Sequence, residues 1–214
     1  MAANAPSTPV ARNKTSALTR ILDSVPKGYT RWTAGTVKPD KAVTLANKFH
    51  RLYGIGLTPA QRLTRKHHGR ANCLLVLYCP PDAVEVHWLL LATPGNGLEA
   101  ERWTDVAAKP RLVWLGYELL RRTINGKTAW TWRRPKTEMA ELYALLQEHL
   151  KRHQRSTVEA LLLRISHQPG FHGVREQSWA LFQHAFKQGY GGELPHLFFV
   201  QKVTHGDKLL LSPS

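Results

Sequence analysis

Acidic side chains are scarce in this chain. Its 214 residues hold 15 Asp and Glu against 30 Lys and Arg, a formal net charge of +15. Only Asp23 and Asp40 fall within residues 1–70, where 13 Lys and Arg stand. So few carboxylates argue against a two-metal nuclease, which needs them clustered. Cysteine is almost as rare. Cys73 and Cys79 share one apolar run and cannot face each other along one strand. They make no disulfide framework, and free thiols in a reducing cytoplasm are expected. Long hydrophobic runs are missing too. The longest, Val86 to Ala92, is interrupted by His87 and is too short to span a bilayer. Residues 1–20 lack the apolar stretch of a signal peptide. A soluble, cytoplasmic protein without membrane insertion is the expectation.

The common catalytic signatures are absent as well. There is no P-loop, no Rossmann glycine turn, no Gly-x-Ser-x-Gly elbow and no zinc-ligand spacing among the 11 histidines. Neither a cofactor nor a metal is expected. His67-His68 read as the end of a basic helix. The Gly189-Tyr190-Gly191-Gly192 stretch is a helix stop without the Lys of a phosphate loop.

What the chain does hold is enough apolar surface to fold. Hydrophobic residues make up 43% of it and include seven Trp, so most of it should be ordered. The length suits one large domain or two small ones. Residues 1–13 are small, polar and Pro-containing and read as a disordered arm. Residues 14–70 read as a basic helical region. A short helix over Thr15–Ser24 ends at Val25-Pro26. Asp40 is expected to cap a second over Lys41–Tyr53, stopped by Gly54. Thr58-Pro59-Ala60-Gln61 is a capping box opening a third, which ends near Gly69.

Residues 71–214 read as an α+β core continuous with that region. The runs 72–79 and 84–92 are apolar on both faces and predict a hairpin at the centre of a sheet. Asn125-Gly126 is the preferred two-residue turn of a second hairpin over 112–134. Its register pairs Glu118 with Arg133, Leu119 with Trp132 and Arg121 with Trp130, which permits an ion pair and a cation–π contact. Three helices follow. Their stripes are Met139, Leu142, Tyr143, Leu146 and Leu150, then Val158, Leu161, Leu162 and Ile165, then Ser178, Leu181, Phe182, Ala185 and Phe186. Thr137 is the expected cap of the first. Leu197–Val203 is expected to return as an edge strand. The fold class is therefore α+β: an antiparallel sheet over about residues 72–134, packed by C-terminal helices, with a basic helical N-terminal region.

The charge pattern indicates the kind of partner. Lys-rich helix faces are often merely solvated, but two consecutive helices so poor in acids favour a polyanion surface. Lys41, Lys48, Arg51, Arg62, Arg65, Lys66 and Arg70 are its candidate phosphate contacts, giving salt-dependent affinity with little sequence preference. Arg121 and Trp130 on the hairpin would add base stacking, as in single-strand binders. Most of the Trp, however, should be core.

An enzymatic alternative rests on Glu85-Val86-His87. Nicking enzymes of the His-hydrophobic-His class bind metal on such a strand, and Glu is an acceptable ligand for a hard divalent ion. Tyr117 and Tyr143 are the available nucleophiles, with no motif around either.

Three stretches resemble segments of uncharacterised accessory proteins of conjugative plasmids and integrative elements. They are Tyr53–Thr58 (YGIGLT), Gly116–Arg121 (GYELLR) with Trp130–Arg133 (WTWR), and Pro169–Arg175 (PGFHGVR). The resemblance implies a mobile-element role in replication, transfer or control of transfer. Fertility-inhibition proteins, which act on a competing plasmid's transfer machinery, are one such class. The resulting expectation is a non-enzymatic, DNA-binding accessory or regulatory protein. The alternatives are a transfer inhibitor binding an acidic partner protein, and a metal-dependent nicking nuclease using Glu85 and His87.

Overall fold

A computed structural model describes residues 6–124, 126–200, 203 and 206–212. In chain order the first elements are β1 (Ser7–Ala11), α1 (Lys14–Ser24), β2 (Arg31–Val37), α2 (Ala42–Tyr53), α3 (Pro59–His67), β3 (Cys73–Tyr78), β4 (Val86–Ala92) and β5 (Thr104–Asp105). Then come β6 (Val113–Trp114), β7 (Tyr117–Ile124), β8 (Lys127–Arg133), α4 (Lys136–Lys151), α5 (Arg155–Ser166), α6 (His172–Lys187) and β9 (Asp207–Leu210). The α+β class follows directly. The chain forms two compact units, Met1–Lys109 with Val203–Ser214, and Pro110–Lys202. Residues 14–70 thus share a unit with 71–109. No helix among the described residues is long and apolar enough to cross a membrane.

The first unit is a six-stranded sheet in the order β5-β2-β4-β3-β1-β9. Every pairing is antiparallel except that of β1 with β3. Helices pack on β3 from α1 and from α2. This explains why β3 reads as apolar throughout. Successive strand residues point to opposite faces, so Cys73, Leu75 and Leu77 join Ala46, Phe49 and Tyr53 of α2 in one core. Leu74 and Val76 point the other way, towards α1, whose Ala17, Leu18 and Ile21 are buried.

Two expectations about this unit fail. Residues 7–11, read as part of a disordered arm, form β1 in the interior of the sheet, and residues 1–5 lie outside the described residues. The strand is held by its ladders and by the buried Thr8 hydroxyl, which donates to the Leu75 carbonyl at 3.3 Å. Asp40 does not cap α2. It sits in a 3-10 turn, Pro39–Lys41, and the residue at the cap, Lys41, makes no side-chain capping bond. The stop at Gly54 is as expected, in the left-handed conformation at φ +66°.

The second unit has a three-stranded antiparallel sheet, β6-β7-β8, and α4 to α6. The antiparallel strands of residues 72–134 are therefore shared between two sheets. The β7–β8 register is the expected one, with Glu118 opposite Arg133 and Arg121 opposite Trp130. Asn125 itself lies outside the described residues. Helix α4 begins at Lys136 with Pro135, not Thr137, at the cap. Leu142, Leu146, Leu162, Leu181, Phe182 and Ala185 form the helical core. Phe186, expected inward, is 61% exposed. Residues 197–200 are not a strand, and 201–202 lie outside the described residues; the returning strand is β9, in the first unit's sheet. Gly173 lets α6 approach β8, since a Cβ there would stand 2.6 Å from the Trp132 carbonyl oxygen.

Candidate nucleic-acid interface

Helix α3 is the element that shapes the candidate site. Its capping box is complete: Thr58 Oγ1 accepts from the Gln61 amide, and the Gln61 side chain accepts from the Thr58 amide at 2.9 Å. Helix spacing then puts Arg62 and Lys66 on one side. Gly69, at φ +66°, reverses the chain so that Arg70 leads into β3. Residues 93–97 brace that reversal. The Asn96 amide donates to the Gly69 carbonyl at 2.9 Å, and the Ala71 amide donates to the Asn96 carbonyl at 3.1 Å.

Across from α3 lies the end of α1, followed by the 3-10 turn Val25–Lys27 and by Tyr29. Two hollows open between these elements and share Lys27 and Tyr29 as a common wall. The inner one, about 330 Å³, contains Arg20 and Arg62, with Asp23 as its carboxylate. The outer one, about 620 Å³, is walled by Lys66, Arg70, Asn72 and the Thr93–Gly95 loop. Five cations (Arg20, Lys27, Arg62, Lys66 and Arg70) thus line these two adjoining hollows, and none forms an ion pair among the described residues. Burial, and then the charge of Arg62, push the Arg20 guanidinium down to about 10.

The nine expected contacts fall into groups. Arg62, Lys66 and Arg70 converge on the hollows. Arg65 does not: its Nε and Nη2 both donate to the Ala71 carbonyl, at 3.3 and 3.0 Å, so it fastens the chain reversal. Lys48 is engaged with Glu101 at 2.8 Å, and Lys41 lies 3.9 Å from Asp40. Arg51 is exposed on α2. Arg121 is exposed and Trp130 half-buried on the hairpin of the second unit, where Trp132 on the same face is fully buried. That face is chiefly core, in keeping with a chain so rich in Trp.

Arg20, Lys27 and Tyr29 carry no sequence signal of their own. No spacing within α1 marks Arg20, because its setting is created by α3, far along the chain. The charge also divides differently in space. Sixteen Lys and Arg face eight acids in the first unit, and fourteen face seven in the second, so the units carry +8 and +7. The acids of residues 71–109 return to the unit whose first 70 residues are so basic.

The residues of the enzymatic alternative are not assembled. Glu85 is exposed, and the His87 ring packs near Tyr78 with centroids 6.0 Å apart. Among the described residues no group of three or more His, Cys, Asp or Glu is placed to hold a metal. The Tyr117 hydroxyl donates to Gln168 Oε1 at 3.4 Å, and burial pushes its pKa up to about 12, the reverse of an activated nucleophile. Tyr143 packs edge-on against His184 at 5.0 Å.

The sequence matches no family model, and neither a curated protein nor a solved structure is similar to the chain.

Proposed function

We propose that this protein binds nucleic acid through the basic hollows of its first unit and acts without catalysis, as an accessory or regulatory protein of a mobile element. The observation that carries the reading is the set of five cations lining two adjoining hollows around Tyr29, with no ion pair among the described residues. Such a feature attracts phosphates. An aromatic ring on its wall offers a base a stacking surface. DNA is the favoured polyanion, and the mobile-element setting rests on the three resembling stretches. The test is a binding titration on single- and double-stranded DNA across salt. Replacing Lys66 and Arg70 with Ala should lower the slope of log K against log salt by roughly 0.7–0.9 for each phosphate no longer neutralised. An unchanged slope removes DNA from these hollows. Nicking that needs Mg²⁺ and is abolished in His87→Ala would replace the reading with the nuclease.

A second reading is favoured by a different observation. In the second unit Trp179, Phe186, Phe198 and Phe199 are each at least half exposed, with Arg175 seated 3.3 Å over the Phe199 ring. Exposed aromatics of this kind suit a protein partner, as a transfer inhibitor of the fertility-inhibition type would need. Nuclease-insensitive capture of an acidic protein of the transfer machinery would favour it.

A further inference from the structure

Binding along a groove does not account for the inner cavity. Arg20 and Arg62 both line it, and the Nε of each is buried with no hydrogen-bond partner among the described residues. The Thr19 hydroxyl beside them is in the same state. Asp23, the carboxylate of the lining, pairs with neither arginine among the described residues. Among the described residues Arg62 reaches a single acceptor, the Ile55 carbonyl, through Nη2 at 3.4 Å. The floor is apolar, made by Pro9 and Ala11 of β1 with Leu74 and Val76 of β3, so no side chain on it accepts these donors.

Buried polar groups in native proteins nearly always find partners. Among the described residues two guanidinium Nε atoms and a hydroxyl in this cavity meet no acceptor, Asp23 included, and that arrangement suits a bound anion. Two like charges lining one cavity repel each other, and a ligand with two negative charges would offset that repulsion. Guanidinium is the side chain best suited to a phosphate, through paired hydrogen bonds. Residues of β1 and β3 line one side of this cavity, and a cavity of about 330 Å³ suits the end of a chain better than a chain passing through. Lys27 and Tyr29 connect the cavity to Lys66 and Arg70 outside.

We propose that the inner cavity is a site for a phosphate monoester, held by Arg20 and Arg62. In a nucleic-acid strand this is the terminal phosphate, with the adjoining base at Tyr29 and the next phosphates at Lys66 and Arg70. That part rests on the nucleic-acid reading; the phosphate site itself does not. The shared chemistry also admits a free nucleoside monophosphate.

The test compares oligonucleotides of one sequence ending in a 5′-phosphate, a 3′-phosphate or hydroxyls, by fluorescence anisotropy. Adenosine monophosphate is titrated separately by thermal shift. A terminal phosphate should tighten binding by about tenfold or more, the value of a hydrogen bond or two to a charged group. Arg20→Gln should bring the ratio of phosphorylated to hydroxyl-ended affinity to about one, with Arg20→Lys intermediate. Equal affinity for all ends, with no thermal shift from the monophosphate, overturns the phosphate site and leaves the nucleic-acid reading standing. A thermal shift from the monophosphate that vanishes in Arg20→Gln, without binding of any oligonucleotide, keeps the site and overturns the nucleic-acid reading.

Discussion

Tyr117 and Arg134 donate to the same oxygen, Gln168 Oε1, at 3.4 and 2.7 Å. Around that point the second unit is fastened together. The Arg134 side chain is 0% exposed, and its Nη atoms donate to the Val174 carbonyl at 3.2 Å and to Ser178 Oγ at 2.8 Å. Glu138 Oε1 lies 3.9 Å from Nε. The Gln177 side chain closes the join by bonding both the amide and the carbonyl of Arg134. Arg134 Nη2 also donates to the Ile165 carbonyl at 3.5 Å, so a residue just past β8 holds α5 and α6, and burial lowers its pKa below the ordinary guanidinium value.

Arg134→Ala should therefore weaken the second unit by about 3 kcal/mol or more, because it strands buried acceptors and opens a cavity. Native-state hydrogen exchange reads this locally. Amides of β8 and α6 should lose protection by about two orders of magnitude, with those of β3 and β4 unaffected. Unchanged protection in β8 would show that the network contributes nothing.

Arg65 and Lys66 are neighbours with different work, and substitution should separate them. Arg65→Ala removes two bonds to the Ala71 carbonyl and should cost about 1–3 kcal/mol of stability. Lys66→Ala should leave the thermal midpoint in place and weaken DNA binding alone. The expectation fails if Arg65→Ala melts like the parent while losing affinity like Lys66→Ala.

His50 should make the first unit acid-sensitive. The residue is 4% exposed, and Nδ1 accepts the Gly56 amide at 3.1 Å, so a proton there would displace that bond. Burial lowers its pKa from the ordinary 6.5. The unfolded chain then binds this proton first as pH falls. Stability from the neutral ring is complete above 6.5 and is lost between 6.5 and the lower folded-state value. Urea unfolding at several pH values, compared with His50→Gln, should show the loss of stability below 6.5 reduced in the variant. Identical pH profiles would clear His50 of the effect.

The two thiols should react unequally. Cys73 is buried in the core of α2 and β3, and desolvation pushes it up to about 12. Cys79 is half-buried at the end of β3. A maleimide applied to the native protein should modify Cys79 and spare Cys73 until denaturant is added, as read by peptide mass. Labelling of Cys73 in the folded protein would contradict its placement.

Features set by neighbours along the chain are legible in the sequence itself. The Thr58–Gln61 box, the Gly54 stop and the β7–β8 register each depend on a few adjacent residues, and each is observed. Features set by distant partners are not. β1 is small, polar and interrupted by Pro9, and becomes a strand because β3 and β9 supply its ladders. Charge composition places a basic surface on α2 and α3 but does not separate Arg62, which faces a cavity, from Arg65, which faces a carbonyl. Nor does it find Arg20, whose significance depends on where Arg62 comes to rest.

β1 and β9 also impose an order on biosynthesis. Arg12 and Asp207, bonded across the edge of that sheet, stand 195 positions apart, and the whole second unit is made between them. A ribosome thus releases β1 long before either neighbour exists, and the sheet's outer edge is completed last. Late closure of this kind slows folding and leaves a strand edge open during synthesis. The Ser7–Ala11 segment is where a chaperone or a stray strand would find this protein while it is being made.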